Sequence, residues 1–167
     1  MRVGVALGSN LGDRLENLRL ARHALARISG VGEPLLASAV YATDPVDCEE
    51  GANEFHNAVI EFAYDGDPRV LHRQMKTIES ALGRPADHGR NVSRAIDIDL
   101  LYAGAMEIQN EGLKVPHPRM LTRRFVLQPL AEIHPDLVLP GQQKPVSELL
   151  AGLDHSFTVV RLTNDWS

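Results

Sequence analysis

Ala95-Ile96-Asp97-Ile98-Asp99-Leu100-Leu101-Tyr102 carries the strongest strand signal in the chain. Apolar and acidic residues alternate through it, and alternation with a period of two is the mark of a β-strand with unlike faces. Ile96, Ile98 and Leu100 then share one face, and Asp97 and Asp99 share the other. Before this strand, Leu71, Met75, Ile78 and Leu82 recur at helical spacing. Asp67-Pro68 supplies an N-cap and a proline at the first helical position, and Gly83 closes the helix. Further upstream, Ala58 to Tyr64 and Leu35 to Tyr41 read as strands, with a long loop from Thr43 to Asn53 between them. Leu15, Leu18, Leu25 and Ile28 mark an earlier helix that stops at Gly30, and Val3 to Leu7 reads as a short buried strand.

The order strand, helix, strand, strand, helix, strand fits a split βαβ pattern. It predicts an α+β fold, a ferredoxin-like α/β sandwich with a mainly antiparallel sheet. Beyond the acidic strand, Phe125 to Ile133 and Val146 to Leu150 read as short helices and Phe157 to Leu162 as a last strand. No linker-like stretch divides the chain, so a single domain over 1–167 is expected.

The formal net charge of -5 argues against a general binder of nucleic-acid backbones. One cysteine, Cys48, excludes an internal disulfide and a cysteine metal cluster. The opening apolar run ends at Leu7, too short for a signal peptide or a membrane span, so a cytoplasmic protein without a membrane partner is expected.

Two neighbouring carboxylates on an otherwise apolar strand repel each other and resist desolvation. A divalent cation relieves both, and two carboxylates plus substrate phosphates is a usual way to hold magnesium. The same pattern also serves an amphipathic strand with a solvated acidic face. Ahead of the strand, Arg84, His88, Arg90 and Arg94 lie in a segment with no apolar period. Guanidinium groups near paired carboxylates suit a polyphosphate held between them, though a solvated loop has the same composition. Val115-Pro116-His117-Pro118-Arg119 is a stiff segment that can present an imidazole, or simply close a strand pair. In Phe55-His56-Asn57, the phenylalanine and asparagine share one face of an extended segment and suit a flat heterocycle, or an ordinary strand start.

These pieces occur in one order. Leu7-Gly8-Ser9-Asn10-Leu11-Gly12-Asp13, Tyr41-Ala42-Thr43-Asp44-Pro45-Val46, Phe55-His56-Asn57-Ala58-Val59, Asp97-Ile98-Asp99-Leu100-Leu101, Val115-Pro116-His117-Pro118-Arg119-Met120 and Arg124-Phe125-Val126-Leu127 follow one another. The chain thereby resembles the 6-hydroxymethyl-7,8-dihydropterin pyrophosphokinase family over roughly residues 3 to 153. That resemblance implies transfer of the β,γ-pyrophosphoryl group of ATP to a hydroxymethyl dihydropterin, with release of AMP, in folate biosynthesis. It implies two Mg2+ ions held with ATP by Asp97 and Asp99. It places Arg84 and Arg94 on the phosphates, and His117 and Arg123 along the nucleotide with Lys76 and Glu79 nearby. It has Phe55 and Phe125 sandwich the pterin ring, while Asn57, Thr43 and the backbone near Asp44 and Val46 read its polar edge. A monomer is expected.

The family usually has tryptophan and Gly-Pro before the last loop arginine, where this chain has Arg90-Asn91-Val92-Ser93-Arg94. It often has glutamate where Thr122 stands, and the single tryptophan here is Trp166. Two other readings stay open at this point: another magnesium-dependent phosphoryl or nucleotidyl transferase, and a non-catalytic pterin or nucleotide-binding homologue.

Overall fold

The computed structural model describes residues 1–44, 50–51, 53–83, 95–155 and 159–167. The expected loop over 84–94 lies outside them, as do residues 45–49. The elements run β1 (Arg2–Ser9), α1 (Arg14–Ala26), β2 (Val31–Ala37), β3 (Val40–Thr43), β4 (Phe55–Tyr64), α2 (Pro68–Ala81) and β5 (Asp97–Ala103). Then come β6 (Ile108–Gln109), β7 (Lys114–Val115), a 3-10 turn at Met120–Thr122, α3 (Arg124–Ile133), α4 (Val146–Ala151) and β8 (Val159–Thr163).

Local chemistry accounts for the helix starts. Asp13 caps α1 by accepting the Glu16 N–H at 3.0 Å. Asp67 caps α2 by accepting the Arg69 N–H at 2.8 Å, with Pro68 in the first turn. Such caps are worth about 1 kcal/mol each. Past α2, Gly83 has a φ of +101°, a left-handed conformation that glycine adopts without strain.

The main sheet has six strands in the order β5-β1-β4-β3-β8, with β2 also paired to β4, and every pairing in it is antiparallel. The expected strand from Leu35 to Tyr41 is two strands. At the break, Ser38 donates its N–H to the Val59 carbonyl at 2.9 Å, and its hydroxyl accepts the Val59 N–H at 3.0 Å. A side chain thus stands in for the backbone, and the segment turns without losing its hold on β4. The β6–β7 hairpin ends at Val115, so the stiff segment that starts there does close a strand pair. Its turn is built by the Asn110 side chain, which accepts the N–H groups of Gly112 at 3.0 Å and Leu113 at 2.7 Å.

Helices cover both faces of the sheet. Val3, Val5 and Leu7 of β1 pack with Leu18 and Leu25 of α1, Leu71 and Met75 of α2, and Ile98 and Leu100 of β5. On the other face, Val59 and Leu101 pack with Val126, Leu127 and Leu130 of α3 and Val146 of α4. The α3–α4 layer covers the second face of the antiparallel sheet. Trp166 is fully buried in the first core, with its indole N–H bonded to the Ser38 carbonyl at 2.7 Å and Arg22 stacked over the ring at 4.9 Å.

Candidate active site

The site forms on the α3 face because β1 presents almost no side chain there. Val3, Val5 and Leu7 turn to the α1–α2 core, which leaves Gly4, Ala6 and Gly8 on the other side. Gly8 pairs with Asp97 on one side and Asn57 on the other, and Ala6 pairs with Asp99 and Val59. Two strand spacings therefore separate Asp97 from Asn57, about 10 Å, with Gly8 as an open floor between them. A side chain at Gly8 would meet the Asn57 Oδ1 at 3.0 Å and the Phe55 Cδ1 at 3.8 Å. The small-large alternation of β1 could have been read from sequence, but what it makes room for depends on the pairing of β1 with both neighbours.

On the acidic side of the floor, Ile98 points into the core, so Asp97 and Asp99 face the site. Burial pushes the Asp99 carboxyl above its ordinary value, and the charge of Asp97 adds to the rise. Lys76, His117 and Arg123 act in the opposite sense on Asp99, which places three cationic or imidazole groups within electrostatic reach of it. His117 is held by its own backbone N–H, which donates to the Leu101 carbonyl of β5 at 2.8 Å. Its Nδ1 accepts the Arg119 N–H at 3.2 Å, so the neutral ring carries its proton on Nε2, ready to donate. Burial lowers the His117 pKa; Arg123 and Arg119 lower it further, against the two aspartates. The ring is thereby favoured in its neutral form.

On the other side, Asn57 is 6% exposed and donates from Nδ2 to the Thr43 hydroxyl at 2.7 Å. That bond leaves its amide oxygen over the Gly8 floor. Phe55 and Asn57 are two apart on β4, and Thr43 pairs with Phe55. Asp44 follows β3 and is exposed. Phe125 opens α3, packed against the second core, and the Arg123 guanidinium lies 5.4 Å from its ring centre. The structure thus brings Asp97, Asp99, His117 and Arg123 to one side of the β1 floor, and Asn57, Thr43 and Phe55 to the other. Arg84, Arg94 and Val46 lie outside the described residues.

Lys76 and Glu79 sit on α2, against the outer edge of β5. Glu79 Oε1 accepts the Ile98 N–H at 2.6 Å, and Lys76 Nζ donates to the Ile98 carbonyl and to Glu79 Oε1, each at 3.1 Å. Among the described residues, no group of three or more His, Cys, Asp and Glu side chains is placed to hold a metal ion. No helix among them is long and apolar enough to cross a membrane.

Comparison with known proteins bears on this arrangement. The family described as 7,8-dihydro-6-hydroxymethylpterin-pyrophosphokinase (HPPK) matches residues 4–135. A 2-amino-4-hydroxy-6-hydroxymethyldihydropteridine pyrophosphokinase of Bacillus subtilis (strain 168) is 41% identical over 134 residues, 77% of this chain and 75% of its own. The enzyme of the same name from Methylorubrum extorquens is 39% identical over 155 residues, 93% of this chain and 95% of its own. Among solved structures, an HPPK-DHPS in complex with substrates superposes with a TM-score of 0.68 at 13% identity, over 90% of this chain and 42% of its own. Wild-type Plasmodium falciparum HPPK-DHPS with pteroate gives 0.67 at 14% identity, over 90% and 42%. The last two likenesses speak for the fold alone, and the chain spans less than half the length of those longer proteins.

Proposed function

The chain belongs to the 7,8-dihydro-6-hydroxymethylpterin-pyrophosphokinase family, and on that premise we propose that it transfers pyrophosphate from ATP to 6-hydroxymethyl-7,8-dihydropterin, a step of folate biosynthesis. The observation that carries the reading is the row Asp97–Gly8–Asn57, which sets a paired-carboxylate edge and an amide edge about two strand spacings apart across a floor without side chains.

The acceptor is flat and polar at its rim. Phe55 and Phe125 offer aromatic faces, and the Asn57 oxygen, fixed by Thr43, offers an acceptor for the ring's amino and amide hydrogens. Thr43 and the backbone near Asp44 and Val46 complete that edge. Across the floor, Asp97 and Asp99 present hard oxygen donors of the kind magnesium prefers. Burial first and the charge of Asp97 second push the Asp99 carboxyl up, and a cation between the two carboxylates would offset both. These two would hold two Mg2+ ions with ATP; when bound, such ions neutralise the phosphate oxygens as charge shifts in the transfer. His117, with its proton on Nε2, and Arg123 serve as donors along the triphosphate. Arg84 and Arg94 join them on the phosphates.

The hydroxymethyl oxygen of the pterin attacks the β-phosphorus of ATP. The bond from that phosphorus to the α,β-bridging oxygen breaks, AMP leaves with the electron pair, and the hydroxyl proton is released. No protein nucleophile is needed, because alignment and charge neutralisation do the work. The chain acts as a monomeric single domain over 1–167, in the cytoplasm, on small molecules rather than nucleic acid or membranes. The test is turnover in Asp97→Asn and Asp99→Asn. Both variants should fold and lose most of their activity; near-normal rates in both would overturn the assignment of the acidic edge.

A further inference from the structure

The acidic strand has an exposed problem that α2 solves. Among the described residues, β5 begins the strand order and pairs with β1 alone. An edge strand has backbone groups on its outer side with no sheet partner. Ile98, the residue between Asp97 and Asp99, is paired in register with Leu7, yet its N–H and carbonyl are both taken from the outside, by Glu79 and Lys76. The two side chains, one helical turn apart, form an ion pair at 3.1 Å that matches the donor and acceptor of a single peptide residue. In effect this pair supplies the missing strand at one position, and that position lies between the two carboxylates.

We propose that Glu79, together with Lys76, is a positioning residue that fixes the spacing and direction of Asp97 and Asp99 by gripping Ile98 from α2. The proposal rests on the reading of the two aspartates as the metal-holding pair. Three facts carry it. The Glu79 side chain is only 2% exposed, so its carboxylate is committed to the protein rather than offered to solvent. A carboxylate buried to that degree is costly unless it is used. Its 2.6 Å bond to Ile98 is short, as expected for a charged acceptor. And α2 is itself anchored by Leu71 and Met75 in the core, so the grip has a rigid base. Two like charges flanking one residue push the strand apart, whereas magnesium demands near-ideal octahedral geometry with bonds of about 2.0–2.1 Å. A mobile edge strand would meet that demand only part of the time.

Lys76 and Glu79 resemble nucleotide contacts by sequence, and the grip gives a different account of Glu79. The two accounts separate by experiment. Mn2+ binding to the whole protein with a non-hydrolysable ATP analogue is followed by electron paramagnetic resonance, and hydrogen exchange is read at the Ile98 amide. In Glu79→Ala, Mn2+ affinity should fall about 10–100-fold, the range for losing a group that orients a metal ligand. The Ile98 amide should exchange faster, and pterin affinity should hold. Glu79→Gln keeps a side-chain oxygen to accept the Ile98 N–H and should recover most of the Mn2+ affinity. Lys76→Met, which leaves Glu79 in place, is the second probe should Glu79→Ala fail to fold, and should also speed exchange at Ile98. Unchanged Mn2+ affinity in Glu79→Ala with weaker metal-free binding of the ATP analogue would overturn the proposal in favour of direct nucleotide contact. So would a Glu79→Gln no better than Glu79→Ala, or Lys76→Met with parental Mn2+ affinity and exchange. Asp97→Asn is run beside them. If it loses Mn2+ binding while Glu79→Ala does not, only the positioning role fails; if it binds Mn2+ normally, the metal assignment falls and takes this proposal with it.

Discussion

Replacing Gly4 with alanine should unfold the protein far more readily than a single methyl group suggests. Gly4 lies in β1, paired with Glu61 of β4 and Tyr102 of β5. The Tyr102 ring crosses over Gly4 so that its hydroxyl can donate to the Glu61 carboxylate, which also receives the Arg2 Nε at 3.0 Å and Nη2 at 2.8 Å and lies 3.0 Å from His134 Nδ1. A Cβ at Gly4 would sit 2.2 Å from the ring's Cε1 and 2.5 Å from Cζ. The ring is 1% exposed and tethered at its tip, so it has nowhere to yield. Forcing it aside costs about 1–3 kcal/mol of overpacking. Losing the hydroxyl's bond to a charged group adds about 1.5–3 kcal/mol. Removing a glycine from a strand returns about 0.5–1 kcal/mol. The net loss is about 2–5 kcal/mol, a large part of a typical 5–15 kcal/mol. At 167 residues, a loss of 3 kcal/mol should lower the melting temperature by about 6–12 °C. Urea unfolding of Gly4→Ala, Tyr102→Ala and the double variant gives the coupling. The double variant should be more stable than the sum of the two losses by about 2 kcal/mol. A Gly4→Ala protein as stable as its parent, or strict additivity, would refute the crossing-ring account.

The other predictions concern the acid limb and the pterin side of the site. Burial pushes the Glu61 carboxyl up, but hydrogen bonds from Tyr102, Arg2 and His134 outweigh it and hold it below its ordinary 4.5. The folded pKa is therefore the lower one, so Glu61 contributes stability above about pH 4.5 that is lost as pH falls through the folded value; Glu61→Gln should flatten that part of a urea-midpoint profile, and an unchanged acid limb would count against it. Phe125→Ala should weaken pterin binding by the loss of a stacking face, worth about 0.5–1.5 kcal/mol beyond buried area, while ATP binding changes little; equal losses by calorimetry would mean a packing defect instead. Gly8→Ala places a methyl 3.0 Å from the Asn57 amide oxygen and onto the floor the pterin would lie on. It should weaken pterin binding about tenfold or more, about 1.4 kcal/mol, beyond a stability loss of about 1–3 kcal/mol from the contact itself; parental affinity would show that the floor is not part of the pocket.

Much of this was legible because local and global signals agree. The alternation in Ala95 to Tyr102 placed Asp97 and Asp99 on one face, and β5 bears that out. Asp67-Pro68 and the Leu71, Met75, Ile78 spacing marked α2 almost to the residue. The misses have physical causes. Ser38 breaks one expected strand into β2 and β3 through a side-chain bond to Val59, which no periodicity reports. The two-residue strands β6 and β7 are too short to carry a period, and their turn depends on the Asn110 side chain. The sequence marks α3 and α4 as helices, but that they cover the second face of the sheet depends on tertiary packing. In the site, the residue types on each strand were readable, but the row from Asp97 through Gly8 to Asn57 exists only once three strands have chosen their register. The grip of Glu79 on Ile98 joins a helix to a strand 19 residues later, and its sequence trace is an ordinary Lys-Glu pair at i and i+3.

The nucleotide product distinguishes pyrophosphoryl transfer from transfer of a single phosphoryl group. The protein, ATP, Mg2+ and 6-hydroxymethyl-7,8-dihydropterin are mixed, and the products are followed by phosphorus NMR. Pyrophosphoryl transfer should yield AMP and a pterin diphosphate in equal amounts, with no turnover when the pterin is left out. ADP with a pterin monophosphate, or ATP that stays intact beside bound pterin, would contradict it.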